Sequence, residues 1–276
     1  MDYTSKRKKV ILTTVSLAIA LFHLVPFYIL VTTALKPIGD FSSKWSFPAD
    51  IRWANFSEAW NEANLGVALI NTSVITILAA LLLIMVGSMA AYPLARRQTK
   101  LNKFVYMLFI AIMVIPPLTA LVPLYQLVVD IGLLNTLDVA IYNNVAAYLP
   151  LTIFLYAGFI RSTIPRELEE AARIDGASTI GIFFRIVFPL LKPVTASVLI
   201  IASVFIWNDY QFAIFFLQDE SVQTMTVALS GFFGESSNKL NLVAAASILA
   251  MLPMTILFLI LQKHFIAGLA SGSVKG

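Results

Sequence analysis

The sequence predicts an all-α, polytopic membrane protein with six transmembrane helices. Of its 276 residues, 59% are hydrophobic and only 12% are charged, whereas a soluble domain carries roughly 25% charged residues. The apolar residues fall in six blocks close to or above the roughly 20 residues that a helix needs to cross about 30 Å of hydrocarbon. Each block should be helical because lipid offers backbone groups no hydrogen-bond partner. The expected spans are residues 10–33, 67–94, 104–126, 139–160, 194–217 and 242–265.

The distribution of lysine and arginine predicts the orientation. If the amino terminus is cytoplasmic, the inside segments hold 15 of the 19 basic residues, and the outside segments hold only Lys36, Lys44, Arg52 and Lys239. Such an excess of positive charge marks the cytoplasmic side, so both termini are expected there. The net charge of +4 is therefore a topology signal, and no nucleic-acid partner is expected.

The first apolar block is open to a second interpretation as a cleaved signal peptide, because Lys6 to Lys9 precede it. The apolar run is long for a signal peptide, which favours a membrane span. The chain contains no cysteine, so it can form neither a disulfide nor a thiolate metal site. His23 and His264 lie in different spans without ligand neighbours and are interpreted as structural.

Two further features bear on the architecture. The first outside loop contains Trp53, Phe56 and Trp60, which predicts an amphipathic segment at the membrane interface.

Span 3 contains Pro116, Pro117 and Pro123, which should bend or open its helix. A bent helix beside an aqueous path and a simple packing kink both remain possible.

The connection between spans 4 and 5, residues 161–193, predicts two short helices. Pro165 and three nearby glutamates favour a helix start, and Gly176 favours its end. Ser178 can cap a second helix over residues 179–188, which Pro189 is expected to stop. Such a helix–turn–helix suits docking into a groove of another protein; the alternative is a plain interfacial connector.

Several spaced residues in this connection resemble a motif of a known family. They resemble the EAA loop shared by permease subunits of binding-protein-dependent ATP-binding-cassette (ABC) importers, with Phe188 where the family usually has leucine. The matching residues are Glu170-Ala171-Ala172, Asp175-Gly176-Ala177, Ile186, Pro189 and Pro193.

Similarity extends over almost the whole chain, to the carbohydrate branch of that family. It is greatest to the second permease of maltose-type and multiple-sugar, α-galactoside-like transporters. The residues concerned are Asn71-Thr72-Ser73, Ala90 to Arg96, Ile115-Pro116, Pro123-Leu124-Tyr125, Trp207-Asn208-Asp209 and Gly268 to Gly276.

The resemblance implies a function and a set of partners. The chain would be one transmembrane domain, residues 1–276, in the bacterial cytoplasmic membrane. It would form a sugar path with a second, non-identical permease, beside two ATPase subunits and an extracytoplasmic sugar-binding protein. Because the sequence has no Gly-x-x-x-x-Gly-Lys-Ser/Thr phosphate loop, ATP and Mg are expected on the ATPase, and this chain is expected to be no enzyme and to hold no cofactor or metal.

The resemblance also implies roles for particular residues. The helix around the EAA motif would sit in a cleft of one ATPase and couple its motion to the spans. The coupling residues would be Glu170, Ala171, Ala172, Asp175, Gly176 and Ala177. The tail, with Gly272 and Lys275, would reach between the ATPases; the alternative is a frayed terminus.

Polar residues within the spans are candidates for the substrate path, because such groups usually face a bundle interior or a wet cavity. The alternative is hydrogen bonding between helices or capping of a helix end. The candidates are Asn71, Asn144, Trp207, Asn208 and Asp209.

Other functions are less consistent with the sequence. A permease for amino acids, phosphonate or polyamines would share the EAA loop but not the Trp207-Asn208-Asp209 segment. A channel or secondary transporter would need its own gate or coupling-ion site, and no inverted repeat is visible. An enzyme would need a nucleophile–base pair or a metal cluster. The sequence does not identify the sugar.

Overall fold

The computed structural model describes residues 6–40, 42–235 and 239–273. Within these residues the secondary structure is helical and includes no β-strand, as predicted. The α-helices are α1 (Lys6–Ala34), α2 (Ala54–Glu62), α3 (Leu65–Arg96), α4 (Lys100–Ile112), α5 (Leu121–Asp130), α6 (Leu137–Thr163), α7 (Arg166–Ile174), α8 (Thr179–Ile182), α9 (Phe188–Leu190), α10 (Lys192–Trp207), α11 (Ala213–Phe216), α12 (Met225–Glu235) and α13 (Leu240–Ser273). A 3₁₀ turn over Pro117–Ala120 precedes α5, and a π-helical turn over Phe183–Val187 joins α8 to α9.

Four helices in the described part of the chain are long and apolar enough to cross a membrane. They are α1, α3, α6 and the Leu240–Gln262 part of α13, with 29, 32, 27 and 23 residues. Two bent helix pairs raise the number of candidate spans to six if each pair crosses once. The chain is therefore a multi-pass helical membrane protein, and four of the six predicted blocks lie within single helices.

The predicted third span, residues 104–126, is not one continuous helix, and the bend predicted from its prolines is confirmed. Helix α4 ends at Ile112, and the segment from Pro117 to Asp130 leaves it at 95°. Pro116 adopts an extended conformation with ψ 126°. Two successive prolines explain the break, because each lacks a backbone donor and a residue before proline is disfavoured in the helical region.

The predicted fifth span, residues 194–217, is also wrong as one helix. Helix α10 ends at Trp207, and its bent partner is the segment Thr179–Leu190 before it, at 74°. The side chain of Asn208 donates to the Val204 carbonyl at 2.7 Å, and the Asp209 carboxylate accepts from the Phe212 amide at 3.2 Å. Short polar side chains that bond the local backbone compete with helix continuation, and this explains the early end.

Two compact units divide the chain. One consists of Met1–Gly66 with Ala228–Met251, and the other of Val67–Val227 with Leu252–Gly276. The first unit contains the predicted amphipathic segment as α2, with the rings of Trp53 and Phe56 stacked at a centroid distance of 6.1 Å.

Asn55 is a fully buried polar residue in the first unit. Its Nδ2 donates to the carbonyls of Ala34 at 2.7 Å and Lys36 at 2.8 Å. Its Oδ1 accepts from Arg52 and Asn241, each at 2.9 Å. An asparagine side chain offers two donor hydrogens and two acceptor lone pairs. All four are satisfied, so burying this amide leaves no uncompensated polar group.

The second unit contains two apolar clusters. One joins the carboxyl ends of α3 and α6 to α8 and α10 around Tyr156, Ile160, Val187 and Leu191, each 0% exposed. The other joins α3, α5, α6, α10 and α11 around Leu83 and Leu217, also 0% exposed. The first cluster lies under the predicted coupling loop and supports it.

Candidate functional site

Helix α7 begins and ends where the local signals predict. Pro165 precedes it in an extended conformation, φ −62° and ψ 139°. Gly176 follows it at φ +82°, the left-handed region that glycine tolerates best. The amide of Ala177 donates to the carbonyl of Ala172 at 2.9 Å, so the loop closes in a Schellman-type cap.

The second helix of the loop begins as predicted but does not end as predicted. Ser178 caps α8 by accepting from the Gly181 amide at 3.1 Å. The helix continues through the π-helical turn Phe183–Val187 and ends at Leu190, one residue after Pro189, where the chain bends by 74° into α10. The predicted end is therefore two residues early, and the π-helical turn was not predicted.

The six predicted coupling residues divide by exposure. Glu170, Ala171, Asp175 and Gly176 are exposed, whereas Ala172 and Ala177 are half-buried and pack against the apolar cluster below. Two apolar side chains of the loop are strongly exposed, Ile174 at 87% and Ile180 at 71%. The loop thus presents small, apolar and acidic groups on its open side.

The residue before this motif, Glu169, is only 4% exposed. Its Oε1 accepts from Arg96 Nε at 2.7 Å, and its Oε2 accepts from the Tyr92 hydroxyl at 2.8 Å. Arg96 Nη2 also donates to the Ile164 carbonyl at 2.7 Å. A buried ion pair with both carboxylate oxygens bonded therefore holds α7 to the end of α3.

Arg161, in the last turn of α6, makes a second attachment. Its Nη2 donates to the Leu94 carbonyl at 2.9 Å, and its guanidinium carbon lies 4.4 Å from the centre of the Tyr106 ring. The first contact holds α6 to the end of α3, and the second is a cation–π contact with α4.

A cavity of about 400 Å³ adjoins the buried ion pair. Tyr92, Arg96 and Glu169 line one part of it, and Phe183 and Phe184 line another. The rings of Tyr92 and Phe183 lie 5.5 Å apart. The end of α3, α7 and the π-helical turn therefore meet around one partly polar space.

The polar residues predicted for the substrate path are only partly brought together. Asn144 Nδ2 donates to Asp209 Oδ2 at 3.3 Å, and Thr226 donates to the Asp209 carbonyl at 2.8 Å. Asp209 also bonds the backbone amide of Phe212. These contacts join α6, α12 and the segment before α11, and they match the capping and interhelical roles left open by the sequence.

The three other predicted path residues make different contacts from that pair. Asn71 Nδ2 donates to the carbonyls of Ser221 and Gln223, each at 3.0 Å. Trp207 is 5% exposed, which leaves little of its ring for a sugar to stack on. Asn208 bonds back to α10 and is exposed.

An aromatic pair beside Asn144 and Asp209 was missed by the sequence analysis. The rings of Tyr148 and Phe205 stack at a centroid distance of 5.4 Å and an interplanar angle of 14°, and Phe205 is 49% exposed. Tyr148 follows Asn144 by four residues on α6, so both lie on one helix face. That spacing is the signal that could have identified Tyr148.

The remaining predicted residues allow less description. Gly272 lies in the last turn of α13, and Lys275 lies outside the described residues. In the described part of the chain, no group of three or more His, Cys, Asp or Glu residues could hold a metal ion.

Several long apolar helices define a multi-pass membrane protein, and its exposed helical loop is held to α3 by buried hydrogen bonds. Comparison with known proteins identifies the class further. The chain belongs to the family of binding-protein-dependent transport system inner membrane components, which it matches over residues 83–271. The family resemblance is thus confirmed, and its members are transport proteins, not enzymes.

Individual relatives agree with this assignment. The chain is 67% identical over 266 residues to the melibiose/raffinose/stachyose import permease protein MelC of Bacillus subtilis (strain 168), covering 96% of each chain. It is 32% identical to the multiple sugar-binding transport system permease protein MsmG of Streptococcus mutans, covering 91% of this chain and 92% of that one.

A solved structure shows the same fold. It is a bacterial ABC transporter involved in the import of the acidic polysaccharide alginate, and one of its chains superposes with a TM-score of 0.77. The match covers 96% of this chain and 100% of that chain at 19% identity.

Proposed function

We propose that this chain is a permease subunit of an ABC importer for the sugars melibiose, raffinose and stachyose. The observation that carries the proposal is the 67% identity to a permease named for these sugars, over 96% of both chains. The second relative is also named for sugar transport. This favours sugar import over the alternative of an amino acid, phosphonate or polyamine permease.

The proposal includes partners and an orientation. The chain works as one transmembrane domain, residues 1–276, with a non-identical second permease, two ATPases that bind ATP and Mg, and an extracytoplasmic sugar-binding protein. It lies in the bacterial cytoplasmic membrane, crosses it six times and has both termini in the cytoplasm. The 15 of 19 basic residues on the predicted inner segments support this orientation.

The loop around α7 is proposed as the element that couples this chain to an ATPase. The exposed residues Glu170, Ala171, Asp175 and Gly176 form the contact face, and the half-buried Ala172 and Ala177 seat the helix on the protein below. The strong exposure of Ile174, 87%, supports docking, because a large exposed apolar side chain favours burial against a partner. Gly272 and Lys275 are proposed to contact the ATPases as well.

The proposed substrate path runs beside Asn144 and Asp209. The neighbouring pair of Tyr148 and the half-exposed Phe205 offers an aromatic face next to hydrogen-bonding groups. Asn208 is placed beside the path, whereas Asn71 and Trp207 contribute by holding the protein around it, as their buried contacts indicate.

Uptake measurement tests the substrate assignment. A strain lacking this chain, with its other transporter subunits intact, should lose accumulation of radiolabelled raffinose and regain it when the chain is restored. Labelled maltose and a labelled amino acid serve as controls whose uptake should not change. Raffinose uptake that is independent of the chain would contradict the proposal.

Cysteine labelling tests the coupling face and the orientation together, because the chain contains no native cysteine. Ala171→Cys should crosslink to the ATPase subunit in the assembled transporter. A membrane-impermeant thiol reagent should reach this cysteine only in inside-out vesicles, and a matched Ser57→Cys on α2 only in right-side-out vesicles. A transport-competent complex in which Ala171→Cys never crosslinks would refute the coupling role.

A further inference from the structure

Two adjacent glutamates of α7 have different surroundings. Glu170 is exposed, as expected for a contact with a partner, whereas Glu169 is 4% exposed. The side chains of Glu169 and Arg96 are 5% and 10% exposed. The carboxylate of Glu169 therefore serves an internal contact and is not available to a partner protein.

The donors to Glu169 come from one face of α3. Tyr92 and Arg96 are four residues apart, so their side chains lie one above the other in the last turns of that helix. One donates to each oxygen of the carboxylate, at 2.8 Å and 2.7 Å. Two bonds to two oxygens fix the position and the rotation of the carboxylate relative to α3.

Arg96 also holds the segment before α7. Its Nη2 bonds the Ile164 carbonyl at 2.7 Å, while its Nε bonds Glu169. Between these two points lies Pro165, whose ring fixes φ. The guanidinium of Arg96 thus bonds the chain on both sides of Pro165. The start of α7 cannot tilt away from α3 without breaking one of these buried hydrogen bonds.

The other end of α7 is built differently. It leaves through Gly176 at φ +82°, and a side chain added at this glycine would meet nothing within 4 Å. The strong polar attachment of α7 is therefore at Glu169, in its amino-terminal half, and it leads to α3. Glu167, in the first turn of α7, is exposed and makes no side-chain hydrogen bond or ion pair with any described residue, so it offers a matched control for Glu169.

We propose that Tyr92, Arg96 and Glu169 form a clamp that transmits movement of the coupling helix to α3. Glu169 is a positioning residue for transport: it does not touch the ATPase or the sugar, but it makes α7 and the end of α3 move as one body. This inference rests on the proposed coupling role of the loop. It adds a route from α7 to the spans besides the covalent ones, which run through Pro165 to α6 and through Gly176 to α8.

The test compares ATP use with sugar transport in the complete transporter, reconstituted in liposomes with its binding protein. Glu169→Gln keeps the shape of the side chain and removes its charge, and Tyr92→Phe removes one bond without leaving a buried charge. Both variants should still crosslink to the ATPase through Ala171→Cys and still hydrolyse ATP. The amount of raffinose transported per ATP hydrolysed should fall at least fivefold in Glu169→Gln and about twofold in Tyr92→Phe. In the matched control Glu167→Gln this ratio should not change.

Each outcome decides a separate point. An unchanged ratio of raffinose to ATP in both variants, with the crosslink intact, would overturn the clamp and leave the coupling loop standing. Loss of the crosslink in both variants would also overturn it, because the residues would then only fold the loop. Absence of the crosslink in the parent protein with native Glu169 would instead refute the proposed function on which the clamp rests.

Discussion

Helices α2 and α7 are alike in length and differ in how they are held. Each has nine residues, and each carries one buried polar residue in its first half, Asn55 and Glu169. Asn55 is a neutral amide with four bonded partners, whereas Glu169 is an acidic side chain with two. The comparison shows two ways to fix a short helix, one by a buried neutral amide and one by a buried charged carboxylate.

The energetic consequences of these two designs differ. Removing a buried neutral amide leaves its hydrogen-bond partners unsatisfied. Removing one partner of a buried ion pair leaves an uncompensated charge. A charged attachment therefore tolerates loss of a partner poorly.

The largest expected effect is at the charged attachment. Glu169→Leu should destabilise the chain by about 3–5 kcal/mol, because Arg96 would remain buried without its partner. The double variant Glu169→Leu with Arg96→Leu should recover most of this loss, because no charge is then left unpaired. Thermal unfolding of the purified complex in detergent, followed by size-exclusion chromatography of a fluorescent fusion of this chain, measures both. Equal stability of the single and double variants would show that the loss does not come from an unpaired Arg96.

A smaller loss of stability is expected from a substitution at Asn55. Asn55→Ala should cost about 2 kcal/mol, because it leaves the Asn241 amide and two backbone carbonyls without this partner. Arg52 keeps its ion pair with Glu58 at 2.7 Å, which limits the loss. Asn61→Ala, at an exposed position of the same helix, is the control. In the same unfolding assay, the loss of stability in Asn55→Ala should lie between those of the control and of Glu169→Leu. A loss as large as that of Glu169→Leu would show that the two attachments do not differ in strength.

The smallest effect is expected at the helix ends. Both helices are followed by a residue with positive φ, Asn64 at 48° and Gly176 at 82°. Gly176→Ala should cost about 1–2 kcal/mol from backbone strain alone, since nothing lies within 4 Å of the new methyl group. Asn64→Gly should cost nothing or stabilise slightly. If Gly176→Ala melts at the parent temperature, the left-handed residue is not important for the end of α7.

The sequence predicted the local features of the candidate site well. The start of α7 at Pro165, its end at Gly176 and the cap at Ser178 are all confirmed, because each depends on the conformational preferences of one or two residues. The length of α10 was missed, because an apolar block shows that a segment can lie in lipid and not that it stays in one helix. Polar Asn208 and Asp209 ended the helix inside that block.

The sequence by itself determined the class of the protein, because apolar blocks and unpaired backbone groups leave a chain in lipid few choices other than helices. It also determined the short helices between α6 and α10 through proline, glycine and serine. Only the tertiary structure decided which polar groups meet. Glu169 lies 73 residues from Arg96 and 77 from Tyr92, and Asn144 lies 65 from Asp209. Contacts at such separations depend on how helices pack, and no local preference of the chain encodes them.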